Sequence, residues 1–275
     1  MRCNLPVLPL SARSMRNDTG APENWKTEFH AKAGEAPGTA EMTLIGYVDT
    51  YYGVNVAAVQ KAINDLGDFK TLNLRVNSPG GSVFEGFAIY QALKNLSDSG
   101  VTINVQVLGL AASIMSVIAM VGDTIDVPAT AMMMIHEVSG GIYGTKQEIR
   151  KYAEDMAYIE QQAVSAYVAR TGLTAERVLS MMEATTWMNG ADALKLGFAT
   201  KSSAAKTMTN QLSKRDLDLL QFKNVPQNLL TPEKTLRAQA DELIAESNRL
   251  RGALLMHNTR QAEMRAQAER QAGHR

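Results

Sequence analysis

The sequence predicts an α/β domain with a largely parallel sheet, followed by a helical C-terminal extension. Predicted strands and helices alternate through residues 42–202, and this alternation is typical of parallel sheets connected by right-handed crossovers. Beyond Ser202 the composition becomes polar and irregular, and apolar residues at helical spacing return only after Thr231. The pattern therefore indicates one globular domain with flanking segments of different character.

Apolar periodicity defines the elements of this domain. Apolar side chains alternate with polar ones in the predicted strands and recur at three- and four-residue spacing in the predicted helices. In order, the pattern predicts strand 42–48, helix 54–66, strand 72–76, helix 84–96, strand 101–108, helix 113–121, and short strands at 124–127 and 131–135. Helix 113–121 is apolar on every side, so we expect it to be buried.

The longest helix is predicted over residues 145–170. Thr145 and Glu148 have the spacing of a capping box, in which each side chain accepts a hydrogen bond from the other residue's backbone N–H. Gly172 is expected to end this helix, and Thr174 to cap a shorter one. The last helices of the domain therefore precede the change in composition.

Composition divides the chain into four expected segments. Residues 1–40 are rich in Pro, Gly, Ala and Ser, which predicts a flexible N-terminal segment. Residues 41–202 form the predicted domain, and 203–231 form a linker. Residues 232–275 are expected to be a helical tail, because a hydroxyl cap and a proline at the first helical position mark a helix start.

Apolar and small residues of the tail follow an alternating four- and three-residue spacing. They are Leu236, Ala240, Leu243, Ser247, Leu250 and Leu254. Two interpretations remain open, because this run of residues, from Leu236 to Leu254, is short. It could be one amphipathic helix lying on the domain, or a coiled-coil arm used for assembly.

Composition also narrows the functional classes. The 275 residues are 45% hydrophobic and 20% charged with a formal net charge of zero, so total charge indicates neither nucleic acid nor a membrane surface as partner. The one cysteine, Cys3, cannot form an internal disulfide, which fits a reducing compartment. No apolar run approaches the roughly 18 residues of a membrane span or forms a signal-peptide core. We expect a protein that is not secreted, with no metal and no cofactor.

Three short segments could carry chemistry, and the first is the turn 77–81. Its sequence, Asn-Ser-Pro-Gly-Gly, lies between a predicted strand and a predicted helix. Glycines there would let the backbone approach a ligand and direct N–H groups at an anion. An ordinary strand-to-helix turn has the same composition, so the turn alone leaves both interpretations open.

The second segment follows strand 101–108 and leads to Ser113. A serine at a strand-to-helix turn can present its hydroxyl at the sheet edge where α/β folds place their sites, with the Ile114 N–H beside it. Ser113 could equally be a plain helix N-cap. Ser116 is a weaker nucleophile candidate, because it lies one turn inside the apolar helix.

The third segment ends in His136, which follows a predicted strand and precedes a glycine-rich loop. The other histidines, His30, His257 and His274, lie in the N-terminal segment or the tail. A histidine base in the folded core would therefore be His136. A buried structural histidine is the alternative.

Taken together, these segments resemble ClpP, the proteolytic subunit of Clp proteases. The resemblance rests on the order Ser-Pro-Gly-Gly at 78–81, Gly-Leu-Ala-Ala-Ser at 109–113 and Met-Ile-His at 134–136. The glycine pair at 140–141 and the segment Ala-Asp-Ala-Leu-Lys-Leu-Gly at 191–197 continue it. The resemblance covers the predicted domain and implies a ClpP/crotonase-like ββα-superhelix fold and a serine endopeptidase activity.

The same resemblance implies roles for individual residues. Ser113 and His136 would be the nucleophile and its general base, and the N–H groups of Gly81 and Ile114 would form the oxyanion hole. Substrate would lie extended beside the turn, at Gly80, Ser82 and Val83. The resemblance also implies a homo-oligomer, possibly of stacked heptameric rings, with helix 145–170 between the rings.

The sequence departs from the family at the acidic member of the catalytic triad. The aligned residue is Thr185, and Glu183 lies nearby. A threonine can accept a hydrogen bond from the histidine ring, but it cannot stabilise an imidazolium by charge, and losing that charge can cost a triad enzyme about 10⁴ in rate. Glu183 or another carboxylate could substitute, or a Ser–His dyad could suffice.

The flanking segments are most similar to those of ClpP-related proteases that process phage capsid and scaffold proteins during head maturation. That similarity implies a location in the host cytoplasm or the procapsid. Alternatives are a general Clp protease subunit working with an AAA+ ATPase, and a catalytically inactive, ring-forming pseudoprotease. An acyl-CoA enzyme of the same superfamily is disfavoured, because those enzymes commonly use carboxylates where this chain has Ser113 and His136.

Overall fold

The computed structural model describes residues 27–51, 53–204 and 222–226. All of them belong to one compact unit, Met1–Leu229. The second unit, Leu230–Arg275, lies outside the described residues. The expectations for the helical tail, for Cys3 and for most of the linker therefore concern parts of the chain that the structure does not describe.

Strands and helices alternate along most of the described chain. Their bounds in chain order are β1 Glu28–Ala33, β2 Thr39–Ile45, α1 Val56–Leu66, β3 Thr71–Ser78, α2 Val83–Asp98, β4 Thr102–Ala112, α3 Ile114–Ala119, β5 Thr124–Asp126, β6 Met132–Ile135, α4 Lys146–Thr171, α5 Ala175–Glu183, β7 Thr186–Asn189 and α6 Gly190–Lys195.

One mixed sheet forms the centre of the unit. Its strands lie in the order β1-β2-β3-β4-β6-β7, and β5 pairs with β4 outside this path. The inner pairs are parallel, whereas β1 and β7 are antiparallel to their neighbours. The predicted α/β fold with a largely parallel sheet is confirmed, and antiparallel strands are added at both edges.

Strand β1 is a difference from the sequence prediction, because it lies within the segment 1–40 that was expected to be flexible. It pairs with β2 from Glu28 opposite Ile45 to Ala33 opposite Ala40. Only Phe29 and Ala31 of this strand pack against the core. Its sequence, Glu-Phe-His-Ala-Lys-Ala, does alternate polar and apolar residues, but this short alternation lies in a segment rich in Pro, Gly, Ala and Ser, and the composition of that segment determined the prediction.

Strand β4 is longer than predicted, and the added residues position the site. Residues 110–112 pair in parallel with β6, and the Ser113 N–H donates a hydrogen bond to the Met134 carbonyl at 2.9 Å. β4 ends immediately before Ser113, and β6 ends immediately before His136. Because parallel neighbours end at the same edge of a sheet, these two residues emerge side by side.

Helices pack against the sheet, and several of their ends are capped. All six residues of α3 are buried, which agrees with the prediction of a buried helix from its apolar sequence, in which Ser116 is the one polar residue. Helix α4 begins with the predicted capping box between Thr145 and Glu148 and ends at Gly172, whose φ of 70° is left-handed. Ser82 caps α2 by accepting a hydrogen bond from the Glu85 N–H. The capping signals predicted at Thr145, Gly172 and Thr174 are therefore confirmed, whereas the cap at Ser82 was not predicted.

Candidate active site

Ser113 lies between β4 and α3 with an unusual backbone conformation. Its φ of 55° and ψ of −132° fall where L residues are rare, at a cost of about 1–3 kcal/mol. It occupies the N-cap position of α3, yet its side chain makes no capping hydrogen bond. The hydroxyl Oγ lies 2.8 Å from Nε2 of His136 instead, so this serine is held against an imidazole.

His136 is the partner of that hydroxyl, and it is largely buried. Burial lowers the pKa of His136 below its ordinary value, because an imidazolium loses hydration inside the protein. The ring is therefore neutral near pH 7 and free to accept a proton. Among the described residues its hydrogen-bond partner is Ser113, and an aromatic neighbour, Phe222, contacts the ring at a centroid distance of 5.8 Å.

The glycine turn packs directly beneath Ser113. A Cβ on Gly80 would lie 2.6 Å from the Ser113 Cβ, and a Cβ on Gly81 would lie 2.1 Å from the Val48 carbonyl oxygen. Both glycines also have positive φ, 97° and 144°. Val48 holds the turn in place, because its N–H donates to the Gly80 carbonyl and its carbonyl accepts from the Ser82 N–H, both at 2.8 Å.

The two residues predicted to form the oxyanion hole, Gly81 and Ile114, line the smaller cavity beside Ser113. Among the described residues neither the Gly81 nor the Ile114 N–H donates a backbone hydrogen bond, whereas the Gly80 N–H is taken by Ser78 Oγ at 3.0 Å. Ile114 is the first residue of α3, so its N–H is one of the unpaired donors of a helix start. The pair can therefore donate to a developing oxyanion beside Ser113.

Thr185, which aligns with the family's acidic residue, lines the same cavity as His136. It is buried, and its φ of 51° is left-handed. Within the described part of the chain, its hydroxyl makes no hydrogen bond to the His136 ring. The Thr–His hydrogen bond that a threonine could make is therefore absent from the described arrangement, in which Ser113 and His136 form a hydrogen-bonded pair.

Three carboxylates, those of Glu137, Glu160 and Glu183, lie near the loop that follows His136 and not at its ring. Glu160 accepts a hydrogen bond from the Val138 N–H at 2.9 Å. Burial, together with the nearby charges of Glu137 and Glu183, raises the pKa of Glu160. Glu183 itself is exposed and makes no ion pair with His136 in the described residues. Glu183 thus faces other carboxylates and does not replace the missing triad acid.

Two cavities meet at the dyad. The larger has a volume of about 410 Å³ and is polar, with Tyr47, Glu137 and Lys223 among the residues that line it. The smaller, of about 50 Å³, is lined mainly by apolar side chains. These are Val83, Phe87, Ile114, Val117, Ala163, Tyr167 and Met182. The arrangement offers one narrow apolar pocket and one wider polar cleft beside the same hydroxyl.

The residues predicted to bind substrate occupy three different positions. Val83 lines the apolar pocket. Ser82 uses its hydroxyl to cap α2, and its N–H is bonded to Val48. Gly80 lies under Ser113. Ser116 is fully buried and hydrogen-bonds the Tyr167 hydroxyl at 2.7 Å, so it is a structural residue rather than a second nucleophile.

Sequence reasoning missed the segment 222–226, which lies within the predicted linker. Phe222 contacts both His136 and Trp187, with ring centroids 5.8 Å apart in each pair. Lys223 lines the larger cavity. Phe222 is one of several apolar residues in the irregular segment 203–231, with Leu219, Leu220 and Val225 close by, so the sequence did not single it out. In the described chain no helix is long and apolar enough to cross a membrane, and no group of candidate metal ligands forms.

Comparisons with known proteins agree with this geometry. A sequence model of the family described as Clp protease matches residues 40–204. The chain is also similar to "ATP-dependent Clp protease proteolytic subunit 2" of Thermobifida fusca (strain YX), with 32% identity over 132 residues. That alignment covers 47% of this chain and 63% of the relative, so the chain spans less than two thirds of the relative's length.

Proposed function

Because the chain belongs to the Clp protease family, we propose that it is a serine endopeptidase with Ser113 as nucleophile and His136 as general base. Membership of the family implies a serine-type peptidase. The observation that carries the assignment to these residues is the 2.8 Å distance between Ser113 Oγ and His136 Nε2, at a point where two cavities meet.

The proposed reaction is acyl transfer to Ser113. His136 Nε2 takes the hydroxyl proton as Oγ attacks the peptide carbonyl carbon, and the N–H groups of Gly81 and Ile114 hydrogen-bond the resulting oxyanion. The imidazolium then gives its proton to the leaving amine nitrogen as the C–N bond breaks. Water, deprotonated by the same histidine, then attacks the ester carbonyl. The imidazolium returns that proton to Oγ as the ester C–Oγ bond breaks, which releases the carboxylic acid product and restores Ser113.

The apolar pocket supports a preference for an apolar side chain next to the cleaved bond. It reaches Ser113 and is closed by side chains of α2, α3 and α4. Burying an apolar side chain there would supply binding energy of about 25 cal/mol per Å². Peptides with a charged residue at this position are expected to react more slowly, because the charge would lose hydration without a partner.

We further propose that the natural substrates are capsid or scaffold proteins of a phage head. The proposal is supported by the long sequence that follows the matched region, which ends at residue 204. The general Clp alternative is supported by the name of the relative, which is ATP-dependent. Proteolysis that requires an AAA+ unfoldase and ATP would favour that alternative over head maturation.

Self-association is supported by exposed apolar residues in the loop before α4 and along the first half of that helix. Ile142, Tyr143, Ile149 and Tyr158 are 46–88% exposed, and exposed large apolar side chains are enriched where proteins associate. We propose that copies of this chain cover them in a ring-forming assembly. Analytical ultracentrifugation of the wild type and of Tyr143→Ser/Tyr158→Ser tests this, and an unchanged oligomeric mass would contradict it.

A fluorophosphonate probe tests the proposed nucleophile directly. Wild-type protein in its assembled state is expected to be labelled at Ser113, and labelling should be lost in Ser113→Ala and strongly reduced in His136→Ala. Ser116→Ala should still be labelled, since Ser116 faces Tyr167. An assembled wild type that takes up no probe would sink the proposal and favour an inactive, ring-forming protein.

A further inference from the structure

We propose that Phe222 is a positioning residue for His136, and that it holds the imidazole ring in place of the missing triad carboxylate. This inference rests on the proposed function of Ser113 and His136. It concerns a segment of the C-terminal extension, 222–226, that lies beyond the region matched to the family, residues 40–204.

The dyad lacks a group that would fix its histidine. In a Ser-His-Asp triad the carboxylate holds the imidazole in the productive orientation and tautomer. Here the described residues give the His136 ring one hydrogen bond, to Ser113, and Thr185 supplies none. Rotation of an imidazole about its outer torsion is otherwise broad, so a ring with one hydrogen bond needs a packing partner.

Phe222 provides that packing partner. Its ring meets His136 edge-on, with centroids 5.8 Å apart and an interplanar angle of 67°. On its other side it meets Trp187 at 5.8 Å and 76°. Both pairs fall within the preferred edge-to-face geometry of aromatic rings. Phe222 is therefore wedged between the catalytic ring and a fixed aromatic side chain of β7.

The segment that carries Phe222 is anchored independently of His136. The Trp187 Nε1–H donates to the Lys223 carbonyl at 3.0 Å, and the Asn224 Nδ2–H donates to the Ala184 carbonyl at 2.9 Å. Ala184 and Trp187 lie on either side of Thr185, so the segment is fastened across the position where the family has its acid. Phe222 and Val225 also pack on Leu110, Ala112, Met132 and Met134.

Phe222 also shields the ring from water, which provides a second readout. The ionisable groups that line the two cavities with His136 are Tyr47, Glu137, Lys223 and Tyr167. Burial is the cause of the lowered pKa of His136. Removing the Phe222 ring should therefore let the pKa of His136 rise towards its ordinary value, whereas a purely structural role elsewhere would leave it unchanged.

The test compares Phe222→Ala, Phe222→Tyr and Val225→Ala in the full-length protein. The readouts are the rate of fluorophosphonate labelling as a function of pH and the His136 titration by NMR. Phe222→Ala is expected to be labelled about three- to tenfold more slowly, which corresponds to the energy of an aromatic pair. The pH midpoint of its His136 titration should be higher than in the wild type. Phe222→Tyr keeps the ring edge and should remain near wild type. Val225→Ala is the matched control, because it loosens the same cluster without touching His136.

Three outcomes would overturn the inference. Faster labelling of Phe222→Ala would make the segment an obstruction of the site. Equal losses in Phe222→Ala and Val225→Ala would reduce Phe222 to general packing. Unchanged labelling and titration of Phe222→Ala would show that the ring needs no such support. A wild type that is never labelled defeats the proposed function instead, and the NMR titration of His136 still decides whether Phe222 covers it.

Discussion

Replacing Thr185 with aspartate is expected to convert the dyad into a triad. Thr185 is buried beside His136 in the same cavity, with a φ of 51°. A left-handed conformation costs an L residue roughly 1–2 kcal/mol, and threonine is poorly suited to it because it is β-branched. Aspartate tolerates this conformation better, so Thr185→Asp places a carboxylate near the ring without adding backbone strain.

The size of the effect follows from the charge. Removing the carboxylate charge from a Ser-His-Asp triad costs about 10⁴ in rate, and an acid introduced without further adjustment should recover part of it, about 10- to 100-fold. The new carboxylate should also raise the pKa of His136, because it stabilises the imidazolium. The relief of backbone strain should stabilise the folded protein, but burying a carboxylate should destabilise it. The free energy of unfolding is therefore expected to change little.

Thr185→Asn is the matched control for this substitution. Asparagine has the same shape and the same tolerance of the left-handed region as aspartate, but it carries no charge. The assay is the rate of fluorophosphonate labelling and of peptide hydrolysis between pH 5 and 9, with the melting temperature of each variant. If Thr185→Asp reacts no faster than Thr185→Asn and leaves the pH profile in place, position 185 does not serve the His136 ring.

Three further predictions concern the glycine turn, the histidine and the buried serine. Gly81→Ala should abolish probe labelling, because its Cβ would lie 2.1 Å from the Val48 carbonyl oxygen. Gly100→Ala is the control: Gly100 also has a positive φ, of 96°, but open space around it, so this variant should lose only stability. A labelled Gly81→Ala would contradict the tight turn. Wild-type activity should persist below pH 6.5, the ordinary His value, and fall only as pH passes below the lowered pKa of His136. Between pH 6.5 and that lowered pKa the unfolded chain binds the proton more readily than the folded one, so the free energy of unfolding should decrease as pH falls through this range. A constant free energy measured by urea titration would count against a desolvated, neutral histidine. Ser116→Ala should lower the free energy of unfolding by about 1–3 kcal/mol, because it leaves the buried Tyr167 hydroxyl without its partner; an unchanged urea midpoint would show that water replaces the serine.

The sequence predicted the interior of the fold better than its edges. Buried parallel strands such as β3 and β4 have strong apolar patterns, and the helix caps at Thr145 and Gly172 are local signals that need no tertiary context. β1 has only a short alternation within a segment rich in Pro, Gly, Ala and Ser, and β7 has only four residues. Each pairs with a neighbouring strand that presents unpaired backbone groups, and that information lies elsewhere in the chain.

The candidate site was predictable where it depends on topology. The order of Ser113 and His136 along adjacent strands is enough to bring them to one sheet edge, because β4 and β6 are parallel. The environment of the ring was not predictable in the same way. Thr185 indicated a missing charge, but nothing in the sequence indicated that Phe222, one of several apolar residues in the irregular segment 203–231, packs against His136.

Backbone strain in the described domain is concentrated where the chemistry is proposed. Its non-glycine residues with positive φ include Ser113, Thr185 and Asn224. Ser113 is the proposed nucleophile, Thr185 is predicted to lie where the family has its acid, and Asn224 anchors the segment that carries Phe222. Such conformations persist only where the surrounding structure determines them. Here the register of β4 with β6 fixes Ser113, and the hydrogen bond from Asn224 to Ala184 ties the segment to the residue preceding Thr185. The segment 222–226 therefore belongs to the same strained region as Ser113 and His136. For this reason we expect Phe222→Ala to change the reactivity of Ser113.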